Sequence, residues 1–171
     1  RTNQLNSLNT AGIAALSTNQ ATALTTEQVN NLTTAAVQAL STTTVSVLGT
    51  DQIQALSTNS LGVLKTAQVQ ALSTDQVVAL TSAQAAAMTT AQIATLSTAQ
   101  VAAIETGDIA ALKSTQLLAL KTTQVQALTT EQVQALTSAG IAALNTDQAA
   151  ALTTDQAAAL TSAQAAAMTT A

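Results

Sequence analysis

An apolar residue recurs at the fifth and eighth positions of a unit of eight along the whole chain, and hydroxyl and amide side chains fill most of the remaining positions. Cut from residue 1, the 171 residues form 21 such octads and a remainder, Thr169-Thr170-Ala171, without one insertion or deletion. TTEQVNNL (25–32), KTAQVQAL (65–72), STDQVVAL (73–80) and TTEQVQAL (129–136) are typical, and the consensus is [T/S/K/N]-T-x-Q-V-x-A-L. Position 5 is always Val, Ile, Leu or Ala, and position 8 is Leu except for Met88, Ile104 and Met168. These two positions are the expected core, with Leu32, Leu56, Leu80, Met88, Leu120, Leu136 and Met168 among its members. Position 7 is nearly always Ala, with Val47 and Val63 among the few exceptions, which implies a close approach between backbones. Position 6 accepts Gln, Ala, Asn, Ser, Thr, Gly, Val or Leu and is expected to face outward or toward a partner.

Three architectures compete for this pattern. A β-solenoid needs period-two alternation and β-rich segments between turn residues, whereas blocks such as QAAAL and DIAAL are helix-favouring, and the chain has five Gly and no Pro for corners. One continuous helix fails because two core positions per octad imply about 4.0 residues per turn, so the apolar stripe would wind around a helix of 3.6. Paired hydroxyl residues at the octad joints, such as Thr25-Thr26, Thr33-Thr34 and Thr153-Thr154, also read as breaks. The remaining option is an all-α solenoid with one short helix of about six residues, roughly 9 Å long, per octad; the β-solenoid is the alternative.

In TTEQV the Thr at position 1 and the Gln at position 4 fit a capping box, with the preceding Leu placed as a hydrophobic staple. Position 1 also holds Lys65, Lys113, Lys121, Glu105 and Gly49, however, while position 2 is Thr or Ser in every octad. The expected N-cap is therefore the position-2 hydroxyl, as in Thr26, Thr50, Thr74, Thr130 and Thr154. Asp or Glu at position 3 (Glu27, Asp51, Asp75, Glu131, Asp147, Asp155) then falls in the first turn, where the helix dipole favours negative charge. A helix this short is not stable alone in water, so stability must come from stacking along the array. Two or three octads per coil are expected on grounds of compactness, giving a rod of about 60 to 100 Å if layers stack at helix-packing distances.

Composition leaves little room for chemistry. The chain has no Cys, His, Pro, Phe, Tyr or Trp, which removes disulfides, imidazole bases and the usual zinc ligands. Charged residues make up 7%, and the net charge of −4 sets eight scattered carboxylates against Arg1, Lys65, Lys113 and Lys121. No basic stripe is present to bind nucleic acid. Mean hydropathy is positive, +0.33, but polar residues interrupt the apolar ones every few positions and no run approaches the roughly 20 needed to span a bilayer. With no credible nucleophile and base pair, an enzyme is not expected, nor a cofactor, a metal or a small-molecule substrate.

Three features invite a functional reading. The cluster IETGDIAALK holds Glu105, Asp108 and Lys113 and is expected to be solvated first-turn charge rather than an acid–base or cation site. Gln fills position 4 in 15 of 21 octads, replaced by Gly12, Ala36, Thr44, Ser60, Asp108 and Gly140; capping or coil-to-coil hydrogen bonding explains it better than a glycan ladder. The Thr array resembles what ice-binding proteins display, although Ser replaces Thr at 82, 114, 138 and 162.

The pattern LTTxQVxAL, as in LTTEQVQALTSAGIAALNTDQ (128–148), together with the variant IETGDIAALK (104–113), resembles octapeptide-repeat tracts of very large bacterial surface or secreted, adhesin-like proteins. The resemblance covers the whole chain and implies an extracellular or cell-surface setting. Residues 1–171 are thus expected to be one uninterrupted array, a segment of a longer chain or filament. Its partner would be itself, end to end or side by side, or the continuation of the same chain. The expected role is structural, in a fibre, stalk or filament; the alternative is a binding module presenting Thr or Gln to ice or a glycan.

Overall fold

The computed structural model describes residues 10–168; the whole first octad and Asn9, with Arg1 and Gln4, and the trailing Thr169–Ala171 lie outside the described residues. Among the described residues there are twenty short helices, one per octad from Thr10–Ala14 to Ser162–Met168, and no strands. They run to five, six or, in Ser162–Met168, seven residues. The all-α solenoid is the fold, and the β-solenoid is excluded. No helix among the described residues is long and apolar enough to cross a membrane.

Each octad begins and ends its helix in the same way. The N–H of position 5 donates to the carbonyl of position 1, as from Val29 to Thr25 at 3.0 Å, which makes position 1 the N-cap. Its backbone is extended, φ −74° and ψ 157° at Thr25, and its hydroxyl accepts from the N–H of position 4, as from Gln28 to Thr25 Oγ1 at 3.2 Å. At the other end the N–H of position 8 turns back to the carbonyl of position 5, as from Leu72 to Val69 at 3.2 Å, a tighter closing turn. Position 8 then returns to extended backbone, φ −60° and ψ 131° at Leu56. Two consecutive extended residues make the corner, and no described residue has a positive φ. That is why the chain folds into corners with so few Gly and no Pro.

The expected caps are corrected by one residue. Thr26, Thr50, Thr74, Thr130 and Thr154 are the first helical residues, and the caps are Thr25, Gly49, Ser73, Thr129 and Thr153. Tolerance of Lys and Glu at position 1 has a backbone explanation. At the Lys and Glu caps the position-4 N–H donates to the cap carbonyl instead, as from Gln68 to Lys65 at 2.9 Å and from Asp108 to Glu105 at 3.0 Å. The six position-3 carboxylates do fall in first turns. The core positions 8 and 5 are also the N′ and N4 positions that a hydrophobic staple joins, so one Leu and one Val or Ile serve both the corner and the core. Thr89→Ala, which removes the acceptor for Gln92 N–H, should cost about 1 kcal/mol, and Thr90→Ala next to it at most about 0.5 kcal/mol; chemical denaturation of the two variants checks this.

Helices pack face to face three octads apart, as Ser82–Ala87 does with both Thr58–Gly62 and Thr106–Ala111. Side-chain hydrogen bonds, described below, reach four octads back. The coil therefore holds three octads per turn, within the two or three expected, and each glutamine reaches across the corner of the layer below into the end of the octad before it, the fourth back. One continuous core results, built from position 5, almost wholly enclosed from Ile13 to Ile141, and position 8, a few per cent exposed from Leu32 to Leu136; toward the ends position 8 is half-buried, and in the last octads Ala157 and Ala165 are exposed. Leu32, Leu56, Leu80, Met88, Leu120 and Leu136 are buried in it, and Met168 is half-buried against it. Close backbone approach occurs where Gly62 meets the next layer: a Cβ there would lie 3.1 Å from the carbonyl oxygen of Ala87, a position-7 residue. Position 6 faces outward, with Val78 and Leu118 as isolated exposed apolar residues.

Candidate functional site

The one polar group that the fold carries into its interior repeatedly is the position-4 glutamine. Gln68 shows the geometry. Its Oε1 accepts from the N–H of Lys65 at 2.8 Å, completing the helix start, and its Nε2 donates to the carbonyls of Val37 at 2.9 Å and Leu40 at 2.8 Å. Those carbonyls belong to positions 5 and 8 of the fourth octad back, at the C-terminal end of a helix: that of position 5 accepts one further donor beside the N–H of position 8, and that of position 8 has no donor within its own octad. Both amide protons and the amide oxygen are thus used, in a side chain 2% exposed.

Twelve glutamines, from Gln52 to Gln164, repeat this pattern at separations of 31 and 28 residues, with Nε2–O distances of 2.6–2.9 Å. Capping and coil-to-coil bonding, the two uses expected of the glutamine, are both present in every such side chain. A buried network of this kind is stabilising only when saturated, and here each amide is.

The substitutions at position 4 show what the slot tolerates. Thr44 is a short substitute whose Oγ1 donates to the Leu16 carbonyl at 3.3 Å. Ser60 accepts from Ser57 within its own octad. Gly140 makes room for a larger neighbour, since a Cβ there would lie 2.7 Å from Leu117 Cδ1. Asp108 corrects the reading of its cluster as solvated charge: Glu105 and Lys113 are exposed, but the Asp108 side chain is buried.

The exposed positions carry the rest of the surface chemistry. Position 2 hydroxyls project from the first helical residue and are exposed through nearly the whole array. Two of them are engaged within the chain: Ser82 donates to Asp108, and Thr130, with Thr129 and the backbone N–H of Glu131, helps hold the Glu131 carboxyl below its ordinary range, the backbone N–H contributing most. The others make no hydrogen bond among the described residues. No group of three or more His, Cys, Asp or Glu converges among the described residues.

The sequence pointed to the glutamine but not to its reach. The available signal was stoichiometric: a capping box uses only Oε1, so a glutamine kept in most octads has two amide protons with no local acceptor.

No curated protein and no solved structure matches the chain. A family model for the ALTTAQ repeat matches residues 1–34, 30–58, 58–90 and 101–138. The six letters run from position 7 of one octad to position 4 of the next, as in ALTTEQ (127–132) and ALTTDQ (151–156): a small residue, the core leucine, the N-cap, the first two helical residues and the buried glutamine. Matched in tandem over most of its length, the chain belongs to the ALTTAQ repeat family.

Proposed function

We propose that this array is a structural element, a stiff segment of a fibre, stalk or filament outside a bacterial cell, acting through length and rigidity and not as an enzyme. The glutamine ladder carries this reading. Each octad with a glutamine in this ladder sends donors to the fourth octad behind it, and the bond does not depend on where in the array the pair lies, so the same bonds serve any number of octads. Length is then a free variable at constant cross-section, which is what a spacer requires, and stability adds up through nearest neighbours in the array. Low surface charge favours lateral contact between copies. The partners in this reading are further octads, of the same chain or of another copy.

Negative-stain images of the chain and of a version with the array doubled test the proposal. Rods or polymers of constant width, longer in the doubled version, are expected. Compact particles whose length ignores the octad number would sink it.

One observation favours a second reading, a binding module for ice or a glycan. The cap belongs to position 1, so the position-2 hydroxyls are exposed and largely without an internal role. Thermal hysteresis from a soluble monomer would select this reading over the fibre.

A further inference from the structure

One rung of the glutamine ladder is an acid. Asp108 stands between Gln100, which donates to the carbonyls of Val69 and Leu72, and Gln116, which donates to those of Ala85 and Met88. By the same spacing of 31 and 28 residues, the carbonyls at this rung that no glutamine serves are those of Val77 and Leu80. Its side chain is 4% exposed. Oδ1 accepts the hydroxyl proton of Ser82 at 2.7 Å, and Oδ2 is buried without a partner. An ionised carboxylate is a pure acceptor and cannot serve a carbonyl; the neutral acid carries one proton that can.

We propose that Asp108 is a proton-operated rung: as the neutral acid its Oδ2–H donates to the Leu80 carbonyl in place of a glutamine amide, and as the carboxylate it cannot. The contact between octads 73–80 and 105–112 tightens on acidification and loosens toward neutral pH.

The surroundings supply no compensating cation. Glu105 begins the same octad and Lys113 the next, both exposed. Of the helices around it, Ser82–Ala87 and Ser138–Ala142 have no titratable residue, Thr74–Val78 has the exposed Asp75 and Thr130–Ala135 the exposed Glu131. Burial pushes the Asp108 carboxyl above its ordinary range, the Ser82 hydrogen bond opposes this, and the Glu105 charge adds to the rise. The unfolded chain therefore releases this proton at a lower pH than the folded one. The rung's contribution is complete below the ordinary carboxylate range and is lost as pH rises through the raised value.

Melting curves of the wild type, Asp108→Asn and Asp108→Gln between pH 3.5 and pH 7.5 test the proposal, with the carboxyl carbon shift of Asp108 followed by NMR. At neutral pH both variants should melt higher than the wild type, by about 2–8 °C for a chain of this size. For Asp108→Asn the gap should close as pH falls, and the carboxyl should titrate above the ordinary range. An ordinary midpoint, or a gap that does not change with pH, overturns the proposal. So does a neutral-pH gap that closes on addition of sodium or calcium chloride but not of tetramethylammonium chloride, which would assign Oδ2 to a bound cation. The Asn comparison cancels the titration of every other carboxylate, and the NMR midpoint stands even if one variant folds poorly.

Discussion

Gln124→Ala is expected to destabilise the array by about 2–6 kcal/mol, the sum of leaving two buried backbone groups unpaired at about 1–3 kcal/mol each. Gln124 is 2% exposed; its Oε1 accepts from Lys121 N–H at 2.7 Å, and its Nε2 donates to the carbonyls of Ile93 at 2.9 Å and Leu96 at 2.7 Å. Truncation strands the Lys121 N–H and the Leu96 carbonyl, removes one of the two donors to the Ile93 carbonyl, which keeps the N–H of Leu96 at 3.2 Å, and opens a void. For a chain of this size the melting temperature should fall on the order of 10 °C. Gln126→Ala, on an exposed side chain two residues further along, is the matched control and should change stability by no more than about 0.5 kcal/mol. Equal effects from the two variants, read by thermal melts at 222 nm, would show that the interior glutamine carries no weight.

Leu120→Asp should do more, because it replaces a 5% exposed core side chain with an unpaired carboxylate, a change in the class that exceeds about 4–5 kcal/mol. Its spatial signature is as informative as its size. Helix Ser114–Leu118 packs against Thr90–Thr95 and Ser138–Ala142, and its octad also exchanges glutamine bonds with octads 81–88 and 145–152. Amide exchange should therefore rise in octads three and four away in both directions as well as at the substituted one. An unchanged melt would remove position 8 from the core, and faster exchange confined to the flanking octads in sequence would contradict the coil described here.

Much of this molecule was legible in one dimension. Val, Ile or Leu at position 5 and Leu at position 8 marked the core because burial selects for apolar side chains in every copy, and Leu32 through Leu136 lie where that pattern put them. The cap was misplaced by one residue because side-chain tolerance was used as its test. Lys65 and Glu105 cap with their backbone carbonyls, a substitution invisible in residue identity. The Asp108 slot was misread for a related reason: a charged residue ordinarily seeks solvent, and only the layer beneath shows that its position is interior.

The sequence by itself determined that each octad is a short helix with its own start, its own core pair and a glutamine near its beginning, because these follow from local periodicity and hydrogen-bonding capacity. The number of octads per turn was decided by the tertiary structure. Near-identical repeats make a glutamine equally able to find its carbonyl pair two, three or four octads away, so chemistry alone leaves the winding open. Helix packing at three octads and the amide's reach to the fourth select the coil, and with it which residues are buried against which.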